Sequence, residues 1–152
     1  MTMHADAAIS LRRFLNIQGP VLSQARSELE SGRRVSHWMW FVFPQLARLG
    51  TSSMLRQYAI ESREEAAAFL SHRILGARLR ELTRVVTALA HKNAREIFGA
   101  PDDLKFHSSM TLFATVAESG SVFEQALDRF FGGVGDPLTL RLLAPRGAAG
   151  GG

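Results

Sequence analysis

The sequence predicts an all-α fold, built as a single compact domain of about eight short helices in an orthogonal arrangement. Apolar residues recur at the spacing of one helix face, and the clearest run is Leu75, Leu79, Leu82, Val86 and Leu89. A serine followed three residues later by a glutamate marks a helix start at Ser62 and again at Ser121. The alternation of apolar and polar residues that is typical of strands is nearly absent.

The predicted helices follow one another with short connections. We expect them after Ser10, at 21–29 before Gly32, at 62–70, at Ile74–Ala90, at Asn93–Phe98 before Gly99, from Pro101 to Ala117, at 121–130 before Gly132, and from Asp136 to Leu143. The run Trp38–Phe43 does not alternate with polar residues. We therefore expect it to form the central, buried helix of the core and not a strand.

Composition bounds the domain and its compartment. Of the 152 residues, 46% are hydrophobic, which suits a packed core. We assign one helical domain to residues 8–143 and expect flexible tails at 1–7 and 144–152. Apolar runs are too short to span a membrane, the N-terminus lacks the apolar region of a secretory signal, and cysteine is absent. These features predict a cytoplasmic protein without a membrane partner.

The charged residues give no sign of a nucleic-acid surface. The formal net charge is +4, but the arginines are scattered over predicted helix faces and form no patch or stripe. We therefore do not expect nucleic acid as a partner, and we expect a monomer. Neither a metal-ligand spacing nor a glycine-rich phosphate loop is present, so we predict no metal and no cofactor.

An aromatic segment, Ser36–Gln45, stands out because both tryptophans of the chain fall within it. Large aromatic side chains most often build a core. The segment also carries His37, which can titrate, and Gln45, which can bind an amide or a base edge. On a helix Trp38 and Trp40 point in different directions, so one could pack inward while the other lines a cleft.

A polar segment, Asp102–Thr111, is the second unusual stretch. On a helix Asp103 and His107 are neighbours one turn apart, so that one face carries an acid and an imidazole. A carboxylate beside a histidine is the orienting part of a catalytic triad. The simpler interpretation is that the two aspartates stabilise a helix N-terminus. Hydroxyl side chains are mildly unfavourable within a helix, yet this segment contains Ser108 and Ser109. These serines are more than a solvent-exposed helix face requires, and they favour a functional role for the segment.

These two segments lead to our first functional hypothesis, a small polar or nucleotide-like anionic ligand bound in a cleft between them. Trp38 or Trp40 would provide a stacking surface, and Gln45 would add an amide. Lys105 and Arg95 would hold the anionic group. Four side chains of the polar segment would orient the ligand: Asp102, Asp103, Ser108 and Ser109.

Catalysis, in this hypothesis hydrolysis, would use His37 or Asp103 as the general base. The competing hypothesis is a non-enzymatic interaction or regulatory domain in which the aromatic segment is simply core. The exposure of Trp38 and Trp40 distinguishes the two, because two buried indoles without an adjacent pocket would favour the interaction domain. The sequence leaves open whether the protein is an enzyme.

Several strings of residues resemble a bacterial family of uncharacterised proteins, catalogued as domain of unknown function 1810 and sometimes given a calpastatin-like label. The matching strings are Ser36–Gln45, Arg95–Gly99, Pro101–Lys105, Ser108–Phe113 and Asp128–Gly133. The resemblance covers roughly residues 8 to 143 and implies a compact, mainly α-helical fold. It brings no established activity, ligand or catalytic residue, and nothing in the sequence looks like a disordered protease inhibitor.

Overall fold

The computed structural model describes residues 11–49 and 57–144, apart from the side chain of Arg48. Within these two ranges the backbone is helical or irregular, and its only β-type pairing is an isolated bridge between Leu46 and Ile60. The predicted all-α fold is confirmed. The predicted cap Ser10, the tail 1–7 and all of the C-terminal tail except Ala144 lie outside the described residues.

The helices are short and close together in sequence. They are α1 (11–18), α2 (Leu22–Glu30), α3 (Met39–Val42), α4 (Arg63–Ser71), α5 (Arg73–Thr87), α6 (Ala94–Phe98), α7 (Asp102–Val116), α8 (Val122–Phe131) and α9 (Pro137–Leu143), with 3₁₀ turns at Gly19–Val21 and Ala47–Leu49. None of the helices within the described residues is long and apolar enough to cross a membrane.

The predicted helix starts are confirmed, although their hydrogen bonds differ in detail. The Ser62 hydroxyl accepts the backbone N–H of Glu65 at 3.0 Å, as a cap should. The Glu65 carboxylate, however, accepts the N–H of Glu61, one residue before the cap. A complete capping box occurs instead at the start of α6, between Asn93 and Glu96.

Helix α7 is the centre of the domain. It packs against α4, α6, α8 and α9, and its apolar side chains Phe106, Met110, Leu112 and Phe113 are completely buried. The Phe106 ring lies 4.5 Å from that of Phe98, measured between centroids, and 5.2 Å from that of Phe43. The central position that we expected for the run Trp38–Phe43 therefore belongs to α7.

The run Trp38–Phe43 is helical, but only for the single turn of α3. The Phe43 backbone leaves the helical region and closes the turn with an N–H bond to the Met39 carbonyl. Trp38 is 1% exposed, whereas Trp40 is half-buried. The two indoles therefore differ in burial, since Trp38 packs inward and Trp40 remains partly exposed.

Truncating Phe106 tests the central role of α7. We expect Phe106→Ala to lower the free energy of unfolding by about 3–5 kcal/mol, because it leaves a cavity among four other phenylalanine rings. Leu104→Ala on the same helix is the control, since Leu104 is 62% exposed and should change stability by less than about 0.5 kcal/mol. Urea unfolding measures both, and similar losses in the two variants would contradict the assignment.

Candidate functional site

A narrow pocket, which we call the tryptophan slot, lies between the aromatic and polar segments. It is lined by Trp40, Phe43, Gln45, Tyr58, Ala59 and Lys105. It encloses about 220 Å³ of empty space that is partly open to solvent, but only about 10 Å³ admits the centre of a water molecule. The slot therefore has room for about one water or for a group of similar size.

The Trp40 indole, whose side chain lines this pocket, has an unused hydrogen-bond donor. Its ring packs edge-on against Phe41 at 5.5 Å between centroids. Its Nε1 atom is buried and has no hydrogen-bond partner among the described residues. Buried indole N–H groups normally have a partner, and leaving one unpaired costs about 1–3 kcal/mol. An acceptor atom placed beside this N–H would therefore stabilise the fold.

Lys105 is held in place by a salt-bridge network with Asp102 and Arg34. Its ammonium lies 3.3 Å from Asp102 Oδ1, and the Arg34 guanidinium lies 3.0 Å from Asp102 Oδ2. The Asp102 carboxylate, which we expected to orient a ligand, thus bridges two cations. An ammonium has three donors, so the bond to Asp102 leaves Lys105 able to donate to a further acceptor.

The loop that carries Arg34 is organised by Glu28, whose role the sequence did not reveal. The Glu28 carboxylate accepts the backbone N–H groups of Val35 and Ser36 at 2.8 and 2.9 Å, the Ser36 hydroxyl at 2.6 Å and the Trp38 indole N–H at 2.9 Å. Gln24 donates to it as well. A glutamate a few residues before a loop gives no sequence signal of this kind, because the pattern depends on how the loop folds back.

These hydrogen bonds set the protonation state of Glu28. Partial burial raises its pKa, but the Ser36 hydroxyl, the Ser36 and Val35 N–H groups and the Trp38 indole lower it more, to about 2. The carboxylate is therefore ionised at neutral pH and acts as an acceptor for every donor around it. The Trp38 indole, which we expected at a ligand, uses its N–H here and lies in the core.

The predicted orienting residues of the polar segment do not line the slot. The Ser108 hydroxyl donates to the Leu104 carbonyl at 3.1 Å. Ser109 Oγ and Asp103 Oδ1 are buried and have no hydrogen-bond partner in the described part of the chain. His37 is exposed and lines neither of the pockets described here. The structure thus brings together Trp40, Gln45 and Lys105, but it does not add the proposed base.

The imidazole of His107, in the polar segment, has a structural role. His107 Nε2 lies 2.7 Å from the Val134 carbonyl, and its ring stacks on Phe131 at 4.0 Å between centroids. One turn later, the Thr111 hydroxyl accepts the backbone N–H of Asp136 at 2.8 Å. This face of α7 therefore fastens the connection between α8 and α9.

Arg95 lies in a second and larger depression, which we call the arginine cleft. It is lined by Arg33, Arg34, Arg95, Glu96, Ile97, Phe98 and Gly99, and its water-accessible volume is about 460 Å³. Arg95 was expected beside Lys105, but the two residues line different pockets. Between 11–49 and 57–144, no group of three or more histidine, aspartate or glutamate side chains could hold a metal ion.

Comparison with known proteins supports the fold and leaves the activity open. A family model described as "Protein of unknown function (DUF1810)" matches residues 8–143. The crystal structure of the conserved hypothetical protein Rv1873 from Mycobacterium tuberculosis is similar, with a TM-score of 0.87 and 47% sequence identity over 89% of this chain and 96% of that chain. Among curated proteins, nothing matches this chain.

Removing the charge of Glu28 should destabilise the domain. We expect Glu28→Gln to lower the free energy of unfolding by about 1–3 kcal/mol, because the amide keeps only one acceptor oxygen and its NH2 group faces donors that bind the other oxygen, either the Ser36 hydroxyl or the Trp38 indole. Glu30→Gln, on the same helix, removes only an exposed ion pair with Arg26 and should cost less than about 0.5 kcal/mol. Urea unfolding at neutral pH compares the two, and equal effects would contradict the proposed role.

Glu28 should also affect how the free energy of unfolding depends on pH in acid. Its pKa is about 2 in the folded state against an ordinary value of 4.5. The stabilisation it provides is therefore complete above the ordinary value and is lost as the pH falls from there towards about 2. We expect the free energy of unfolding to fall less steeply across this window in Glu28→Gln than in the wild type. Parallel slopes in urea titrations would contradict the assignment.

Proposed function

The chain belongs to the DUF1810 family of proteins of unknown function, and we propose that it binds a small anionic ligand whose charged head enters the tryptophan slot. The unpaired, buried N–H of Trp40 is the observation that carries this proposal. A ligand oxygen would give this donor the partner that the described residues do not provide.

The other polar groups of the slot favour an anion as well. Lys105 carries a positive charge, and the Tyr58 hydroxyl and the Gln45 amide can both donate hydrogen bonds. The small size of the slot favours a carboxylate head, with the rest of the ligand resting on the exposed part of the Trp40 ring. The nucleotide-like ligand of our first hypothesis is less well supported, since no room for a base is present inside the slot.

The geometry supports binding better than hydrolysis. His37 and Asp103, the bases that the sequence suggested, do not line the slot. A general base has to lie within hydrogen-bond reach of the water it activates. Two buried indoles without an adjacent pocket would have favoured the competing hypothesis of an interaction domain, whereas Trp40 is half-buried and borders a pocket.

The proposal is tested by thermal unfolding in the presence of monocarboxylates, with acetate and benzoate as probes and chloride at equal ionic strength as the reference. A ligand that binds the folded state raises the melting temperature with concentration. We expect a saturable rise with benzoate, and we expect Lys105→Met to weaken the binding at least about tenfold. Lys105→Arg, which keeps the charge, should bind more tightly than Lys105→Met.

Two further variants make this test specific. Lys92→Met removes the other lysine of the chain and should leave benzoate binding unchanged, because Lys92 does not line the slot. His37→Ala should also bind normally. If neither carboxylate raises the melting temperature, the slot holds only a water molecule and the proposal is wrong. Equal losses in Lys92→Met and Lys105→Met would contradict it too, because they would indicate a general charge effect.

A further inference from the structure

The floor of the arginine cleft is the C-terminal end of α6, and its carbonyl groups already have donors. A helix C-terminus normally presents unpaired carbonyls and repels anions. Here the Arg34 backbone N–H donates to Ile97 at 2.8 Å, and the Arg34 guanidinium donates to Phe98 at 3.0 and 3.2 Å. The Asp103 N–H donates to Gly99 at 2.9 Å. The acceptors that would disfavour an anion are therefore occupied.

The polar groups that remain available in the cleft are mostly positive. The side chains of Arg33 and Arg95 are exposed, and in the described part of the chain neither forms a salt bridge. The Glu96 carboxylate accepts the Asn93 N–H at 2.9 Å in the capping box. Lys92 adds a positive charge beside Arg33, because its Nζ lies 3.0 Å from the carbonyl oxygen of Gly32.

We propose that the arginine cleft binds the phosphate group of a small phosphorylated molecule, held between Arg33 and Arg95. Each guanidinium is a planar fork that can donate two parallel hydrogen bonds to an oxyanion. A phosphate group has enough free oxygens and negative charge to accept hydrogen bonds from both guanidinium groups. A carboxylate group has only two oxygens and one charge. The cleft volume of about 460 Å³ lies within the range of roughly 300–1,000 Å³ typical of small-molecule sites.

This site is distinct from the tryptophan slot and does not depend on it. The two pockets share no lining residue. A variant that abolishes one site should leave the other intact. The proposed function and this inference can therefore fail separately.

Isothermal titration calorimetry with inorganic pyrophosphate tests the inference, with citrate at equal ionic strength as the carboxylate probe. We expect saturable binding of pyrophosphate and much weaker binding of citrate. Arg33→Gln and Arg95→Gln should each weaken pyrophosphate binding at least about tenfold. Arg73→Gln, an exposed arginine on another helix, removes the same charge and should bind like the wild type. Lys105→Met should also bind pyrophosphate like the wild type.

Three results would overturn the inference. These are the absence of saturable pyrophosphate binding, an equal loss in Arg73→Gln, and citrate binding at least as tight as that of pyrophosphate. Both cleft arginines are exposed, so their replacement should leave the melting temperature nearly unchanged. A loss of binding in these variants can then be read as the loss of a contact and not of the fold. Saturable binding of a single-stranded oligonucleotide that falls equally in all arginine variants would point to a diffuse basic surface and would also overturn it.

Discussion

The hydrogen bonds of Glu28 are the constraint on which both pockets depend. Ala25 and Leu29 fix α2 in the core, and Glu28 projects from the same helix to the loop that follows. Through this one carboxylate, the loop is fixed at two backbone N–H groups, a hydroxyl and the indole of Trp38. The indole is thereby oriented as it enters the core, and α3 begins directly after it with Trp40 turned towards the slot.

The same loop also sets the position of the charged residues. Arg34 lies just before the residues that bind Glu28, and its guanidinium reaches the end of α6 and the Asp102 carboxylate at the start of α7. A shift of this loop would move Arg34 away from both helices. Asp102 would then pair with Lys105 alone and would no longer be shared with a second cation. The ionised state of Glu28 is therefore a condition for the geometry of the slot and of the arginine cleft.

The fold was largely predictable because its signals are local. Caps such as Ser62 and Asp136 and stops such as Gly132 act within a few residues, so they can be recognised in a sequence. The capping box at Asn93 has the same local pattern and could have been found. The site was predictable only in part. Periodicity tells which residues share a helix face, but not how two helices cross, so it could not tell that Lys105 lines the pocket of Trp40 while Arg95 lines another.

The charge balance around Asp102 explains why the slot suits an anion. One carboxylate bridges Lys105 and Arg34, so it can neutralise only one of the two cations. The Arg34 guanidinium has the Ser36 and Phe98 carbonyl groups as further acceptors, so the excess positive charge is available at Lys105, in the slot. All three side chains are partly buried, and salt screens such charges less than it screens exposed ones. The attraction of the slot for an anion therefore follows from the ion bridge, whereas that of the arginine cleft rests on Arg33 and Arg95, which are not part of the bridge.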